Sequence, residues 1–86
     1  MKHNIYYTNG TCSQAIEFDI SENNTLHNVV FYGGCNGNLQ GVARLVEGMK
    51  LEDVVSKLKG ISCNGSPTSC PDQLATAVMQ HMNQEN

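Results

Sequence analysis

Tryptophan is absent from this chain, and other aromatic residues are scarce: 2 Phe and 3 Tyr among 86 residues. A core with so few rings must rest on Val, Leu, Ile and Met. Basic residues are few as well, with 5 Lys and Arg against 8 Asp and Glu, for a formal net charge of −3. No segment is rich in Lys or Arg, so the basic stripe that a nucleic-acid binder turns toward phosphates is missing. No stretch approaches the ~20 consecutive apolar residues that cross a bilayer. The N-terminal run from Met1 to Tyr7 has no apolar stretch of signal-peptide length. These absences predict a soluble cytoplasmic protein that binds neither nucleic acid nor membrane. The length suits a single domain over 1–86. A domain of this size buries only roughly 60–65% of its unfolded surface, a thin margin that a structural metal or a partner subunit can widen.

Against that background the 4 cysteines stand out: Cys12, Cys35, Cys63 and Cys70. Proteins kept in a reducing compartment seldom use disulfides for structure. Four thiols in so small a domain therefore point to a metal site or to redox chemistry before a disulfide framework.

The first third of the chain reads as strands. Ile5 to Thr8 is rich in β-forming residues and stops at Asn9-Gly10, a turn signal. From Gln14 to Ile20 the pattern alternates, with Ile16, Phe18 and Ile20 on one face and Glu17 and Asp19 on the other, as in a half-buried strand. His27 to Tyr32 is a third, more apolar strand, ended by Gly33-Gly34. Helical spacing then takes over. Leu39, Val42, Ala43, Val46 and Met49 form one series, with Asn36 or Asn38 as N-cap. Leu51, Val54, Val55 and Leu58 form a second, with Glu52 and Asp53 in its first turn, Lys57 and Lys59 in its last and Gly60 as its stop. A third helix starts near Pro71 and carries Leu74, Ala77, Val78 and His81 or Met82 on one face. Segregated strands and helices predict an α+β fold: a three-stranded antiparallel sheet followed by three helices packed on one face.

All four cysteines fall at element boundaries, off the apolar faces where core cysteines belong. This distribution favours one shared site. Four thiolates from separate elements can surround a tetrahedral zinc ion, although the spacing contains no C-x-x-C. Cys35 and Cys70 each stand at a helix start, where the helix dipole favours a thiolate for metal binding or for thiol exchange. The segment Gly33-Gly34-Cys35-Asn36-Gly37-Asn38 suggests a second site. The backbone N–H groups of Gly33, Gly34, Asn36, Gly37 and Asn38 can cradle an anionic cofactor such as a nucleotide or flavin. The plainer reading is a tight turn that needs glycine. His3, His27 and His81 are scattered and read as surface residues. Ser69 and Asp72 have the spacing of a capping box. Met49, Met79 and Met82 read as core or interface residues.

Thr68-Ser69-Cys70-Pro71-Asp72 matches the signature for which the TSCPD domain family is named. Leu58-Lys59-Gly60-Ile61-Ser62-Cys63 resembles that family's Lys-Gly-Ile-x-Cys block, Gly33-Gly34-Cys35 its Gly-Gly-Cys block, and Cys12 an upstream cysteine before the second strand. The resemblance runs from about Tyr6 to Met82 and is nearest to the small stand-alone four-cysteine members. A related domain ends the adenosylcobalamin-dependent ribonucleotide reductases. The resemblance implies that the four cysteines act as a set. It brings no reductase activity, because the large catalytic domain of those enzymes has no counterpart here.

Three functions follow as expectations. The first is a four-cysteine metal-binding module, with zinc at Cys12, Cys35, Cys63 and Cys70. It would serve an unidentified protein partner or a homodimer, and would not be an enzyme, since a closed shell of four thiolates leaves no position for substrate. The second is a thiol redox protein working through cysteine pairs. The third is a binding module for a nucleotide or flavin at Gly33 to Asn38.

Overall fold

A computed structural model describes residues 1–11, 13–34, 36–62 and 68–84, with Asn36 described for its backbone alone. Three strands come first: β1 Lys2–Tyr7, β2 Ser13–Ile20 and β3 Leu26–Gly33. They pair antiparallel in the order β1-β2-β3. Three helices follow: α1 Asn36–Val46, α2 Leu51–Leu58 and α3 Cys70–Gln84. The expected α+β architecture is thus the observed one. Strand β1 begins at Lys2, earlier than its β-forming residues suggest, because the pairing continues to Lys2 opposite Ile20.

The alternation in β2 decides which way the sheet faces. Ile16, Phe18 and Ile20 point inward and meet Leu26 and Val29 of β3. The helices close over them with Val46, Leu51, Val54, Leu74, Ala77 and Val78. The link between α1 and α2 is stitched to the β2–β3 turn by backbone hydrogen bonds. Leu26 N–H donates to Met49 O at 2.9 Å, and Leu51 N–H donates to Asn24 O at 3.0 Å. That second bond satisfies one donor at the start of α2, where Lys50 supplies no side-chain cap.

Two bulges interrupt the β2–β3 register. From Ser13↔Gly33 to Ala15↔Tyr32, β2 advances two residues while β3 advances one, so Gln14 is the extra residue. From Glu17↔Val30 to Asp19↔His27, β3 carries the extra residue, Asn28, at φ 56°. A bulge reverses the side-chain alternation beyond it. Gln14 thereby turns Ser13 to the helix side, although simple alternation assigns it to the face of Ala15 and Glu17. Ser13 is buried there.

Candidate functional site

The Thr68–Asp72 segment enters α3 and ties three parts of the chain together. Ser69 is the N-cap: its Oγ accepts the Asp72 N–H at 3.2 Å. Its hydroxyl also donates to Ile61 O at 2.6 Å, which pins the segment after α2 to the start of α3. Asp72 does not return the second bond of a capping box. Its buried carboxylate instead accepts Gly60 N–H at 2.7 Å, the Thr68 hydroxyl at 2.5 Å and Lys59 Nζ at 3.3 Å. Burial pushes this carboxyl up, but the Thr68, Gly60 and Lys59 donors outweigh it and hold the group below its ordinary value. Thr68 in turn accepts Gln73 Nε2 at 3.0 Å, and Gln73 Oε1 accepts Asn9 N–H at 3.1 Å. The β1–β2 turn is drawn in as well. Gly10, at φ 77°, lies so close to Thr68 that an added Cβ would come within 3.2 Å of Cγ2.

Cys70 is the first residue of α3, one position inside the helix rather than at its cap. The reason is that Ser69 O already accepts the first helical N–H, from Gln73 at 2.9 Å. Pro71 then occupies a first-turn position where no N–H is needed. The Cys70 side chain is buried, and its Sγ lies 3.2 Å from Ser13 Oγ. Ser13 is the residue after Cys12, and it pairs with Gly33, two residues before Cys35. Ile61, held by Ser69, is two residues before Cys63. Described residues flanking all four cysteine positions therefore meet at one end of the domain. Cys12, Cys35 and Cys63 themselves lie outside the described residues. Among the described residues, no group of three or more His, Cys, Asp or Glu is arranged to hold a metal.

The residues of the predicted anion loop fall at the same end. Gly33 closes β3 and Gly34 follows it, both at positive φ, the conformation that a tight strand-to-helix turn asks of glycine. Gly37 and Asn38 lie within the first turn of α1. Asn36 is the first helical residue, and its side chain lies outside the description. Neither Asn36 nor Asn38 is therefore the N-cap expected from sequence. A groove of 210 Å³ runs between β3 and α1, lined in part by Gly33, Leu39 and Ala43.

Of the three histidines read as surface residues, His3 is exposed, His27 is partly buried and His81 is buried. His81 is buried on the core face of α3, four residues after Ala77 and three after Val78. It borders two depressions of 350 and 450 Å³, one of them at the Lys2 and Ile20 end of the sheet, away from Cys70. His27 Nδ1 contacts Glu47 Oε2 at 2.7 Å. His3 bridges two carboxylates on the open sheet face, Asp19 at 2.6 Å and Glu17 at 2.8 Å. The sequence signal for that bridge is the alternation of both strands, which puts all three side chains on one face.

No helix among the described residues is long and apolar enough to cross a membrane. A search of curated proteins finds no match, and neither does a search of solved structures. The TSCPD domain model matches residues 2–82, nearly the whole chain. That span includes the Ser69 cap, the Asp72 clamp and all four cysteine positions, and the chain belongs to the TSCPD domain family.

Proposed function

We propose that Cys12, Cys35, Cys63 and Cys70 hold one metal ion, and that the protein is a small cytoplasmic four-cysteine module serving a protein partner rather than an enzyme. The observation that carries this reading is the meeting of the described flanks: Ser13 with Gly33, Cys70 with Ser13, and Ser69 with Ile61. The chemistry of the donor set fits as well. Four thiolates suit zinc, which imposes no redox cycle and accepts a closed tetrahedral shell. The N–H groups at the start of α3 offset part of the negative charge that four thiolates bring. Bound there, the metal would join the β1–β2 turn to the starts of α1 and α3 and add directly to the folding free energy.

The test is metal analysis with thiol counting on anaerobically purified protein. The expected result is one zinc per chain, thiols that react only after chelation, and a lower melting temperature once zinc is removed. Cys70→Ser should lower the zinc content. Metal-free protein with four reactive thiols and an unchanged melt on adding zinc refutes the site. Two rival readings give different results in the same sample. Thiol redox chemistry leaves thiols that pair reversibly under mild oxidant without metal. A flavin or nucleotide at Gly33 to Asn38 appears in the absorbance spectrum.

A further inference from the structure

The sheet buries one face under the helices and leaves nine paired positions facing outward on the other, with the bulge residue Asn28 beside them. The register arranges these in three rows across β1, β2 and β3: Tyr7, Ala15 and Tyr32; Ile5, Glu17 and Val30; His3, Asp19 and His27. Read along the strands, the same positions form two apolar ridges on either side of an acidic floor. One ridge is Ile5 and Tyr7 on β1, exposed by 50% and 73%. The other is Val30 and Tyr32 on β3, exposed by 43% and 45%. Together they hold four of the seven large apolar side chains left exposed among the described residues. An antiparallel sheet with a solvated face ordinarily makes that face polar. Large apolar side chains gathered on it mark an interaction surface.

The floor determines the partner. Glu17 and Asp19 are both held below the ordinary carboxylate range. For Glu17 the chief cause is the Tyr32 hydroxyl, which donates to Oε1 at 2.7 Å; for Asp19 it is the Asn28 side-chain amide, at 2.9 Å. The titratable base that bridges them on this face is His3. None of the nine outward positions is Lys or Arg. A polyanion or an anionic membrane meets two fixed carboxylates here and is repelled. A second copy fares no better. A two-fold axis through the middle of the face sets Glu17 of one copy against Glu17 of the other, and the mate brings no Lys or Arg to the contact.

We infer that this sheet face docks a protein segment that presents Lys or Arg between apolar side chains. The basic group reaches Glu17 and Asp19, and the flanking apolar groups rest on Ile5 with Tyr7 and on Val30 with Tyr32. The ridges stand two strand spacings apart, about 10 Å, which matches the width of one peptide element with its side chains. Tyr7 and Tyr32 also offer ring faces to the cation or its aliphatic stem. This surface does not depend on the cysteine site, so either reading can fail without the other.

The experiment is amide shift mapping on the full chain with labelled short peptides. The probes are alternating leucine and arginine, alternating leucine and glutamate, and arginine alone. The expected result is saturable shifts at Ile5, Glu17, Val30 and Tyr32 with the leucine–arginine probe, and much weaker ones with the other two. Glu17→Gln should weaken binding about fivefold, the worth of one exposed ion pair. Tyr7→Ser with Tyr32→Ser should weaken it about tenfold or more, as loss of aromatic anchors does. Glu52→Gln with Asp53→Asn, which removes more charge from α2, should leave it within about twofold, since exposed charges beyond a Debye length are screened. The inference is overturned if the probe maps elsewhere, if arginine alone binds as well, or if the α2 variant loses as much as Glu17→Gln. Self-association through this face, read by sedimentation and abolished by Val30→Lys, would overturn it too.

Discussion

Removing the Asp72 carboxylate should cost more stability than any other change at an acidic residue of this protein. The side chain is 7% exposed and accepts from a backbone amide, a hydroxyl and an ammonium group. Asp72→Ala strips the acceptor from all three. The Lys59 ammonium is half exposed and recovers water, so its loss contributes little. Gly60 N–H and the Thr68 hydroxyl lose charge-assisted bonds, each worth about 1.5–3 kcal/mol. Partial hydration of exposed Gly60 pulls the sum down, to about 3 kcal/mol. In a domain of this length that lowers the melting temperature by about 12–24 °C. Asp72→Asn keeps one oxygen for Gly60 but turns an amide toward Thr68, whose oxygen already accepts from Gln73, and should cost about half as much. The assay is thermal melting by circular dichroism, run in reductant with and without chelator. Acid titration adds a second reading. The folded carboxyl lies below its ordinary value of 3.8, so its contribution is present above that value and fades as pH falls through the folded one. Asp72→Asn should therefore flatten part of the acid limb. A melt of Asp72→Ala within about 1 kcal/mol of the parent refutes the clamp.

Ser69→Ala removes the N-cap and the Ile61 tether together and should cost about 1–2 kcal/mol, read as a lower denaturant midpoint at unchanged slope. His3→Gln should reveal a pH-dependent term. Asp19 first, then Glu17, raise the His3 value above 6.5, so its contribution is complete below 6.5 and is lost as pH rises through the folded value. The gap between parent and variant should close on the alkaline side, and a gap that widens there would falsify the bridge. Leu74→Ala, at a fully buried position of α3, should cost about 2–5 kcal/mol by urea unfolding.

The fold was legible where periodicity was strong. Ile16, Phe18 and Ile20 revealed the buried face of β2, and Leu51, Val54, Val55 and Leu58 revealed α2 with Glu52, Asp53 and Lys57 placed as expected, while Lys59, expected in the last turn, is the C-cap in extended backbone. Periodicity carries no information where a bulge resets it. Gln14 and Asn28 each change which side the neighbouring residues face, and neither residue type announces a bulge in a lone sequence. His81 was misread for a similar reason. Its helical spacing joined it to Ala77 and Val78, but imidazole is common on buried and exposed faces alike.

The candidate site was half legible, and the missing half explains the signature itself. Spacing identified Ser69 with Asp72 as a cap, yet two of the three partners of the Asp72 side chain lie 12 and 13 residues upstream at Gly60 and Lys59. Those contacts arise only when the end of α2 folds back on the start of α3, which no local pattern encodes. Four of the five signature residues have work that is structural: Thr68 links Asp72 to Gln73, Ser69 caps and tethers, Pro71 fits the first turn of α3, and Asp72 clamps the end of α2. Cys70 alone in the signature carries a thiol. The other four hold that thiol against Ser13, beside the strand end that pairs with Gly33. A motif built this way uses its fixed geometry to position one sulfur. Substitutions at Thr68, Ser69 or Asp72 should therefore lower stability and any cysteine-dependent metal content together, whereas Cys70→Ser should abolish the second with a separable effect on the first.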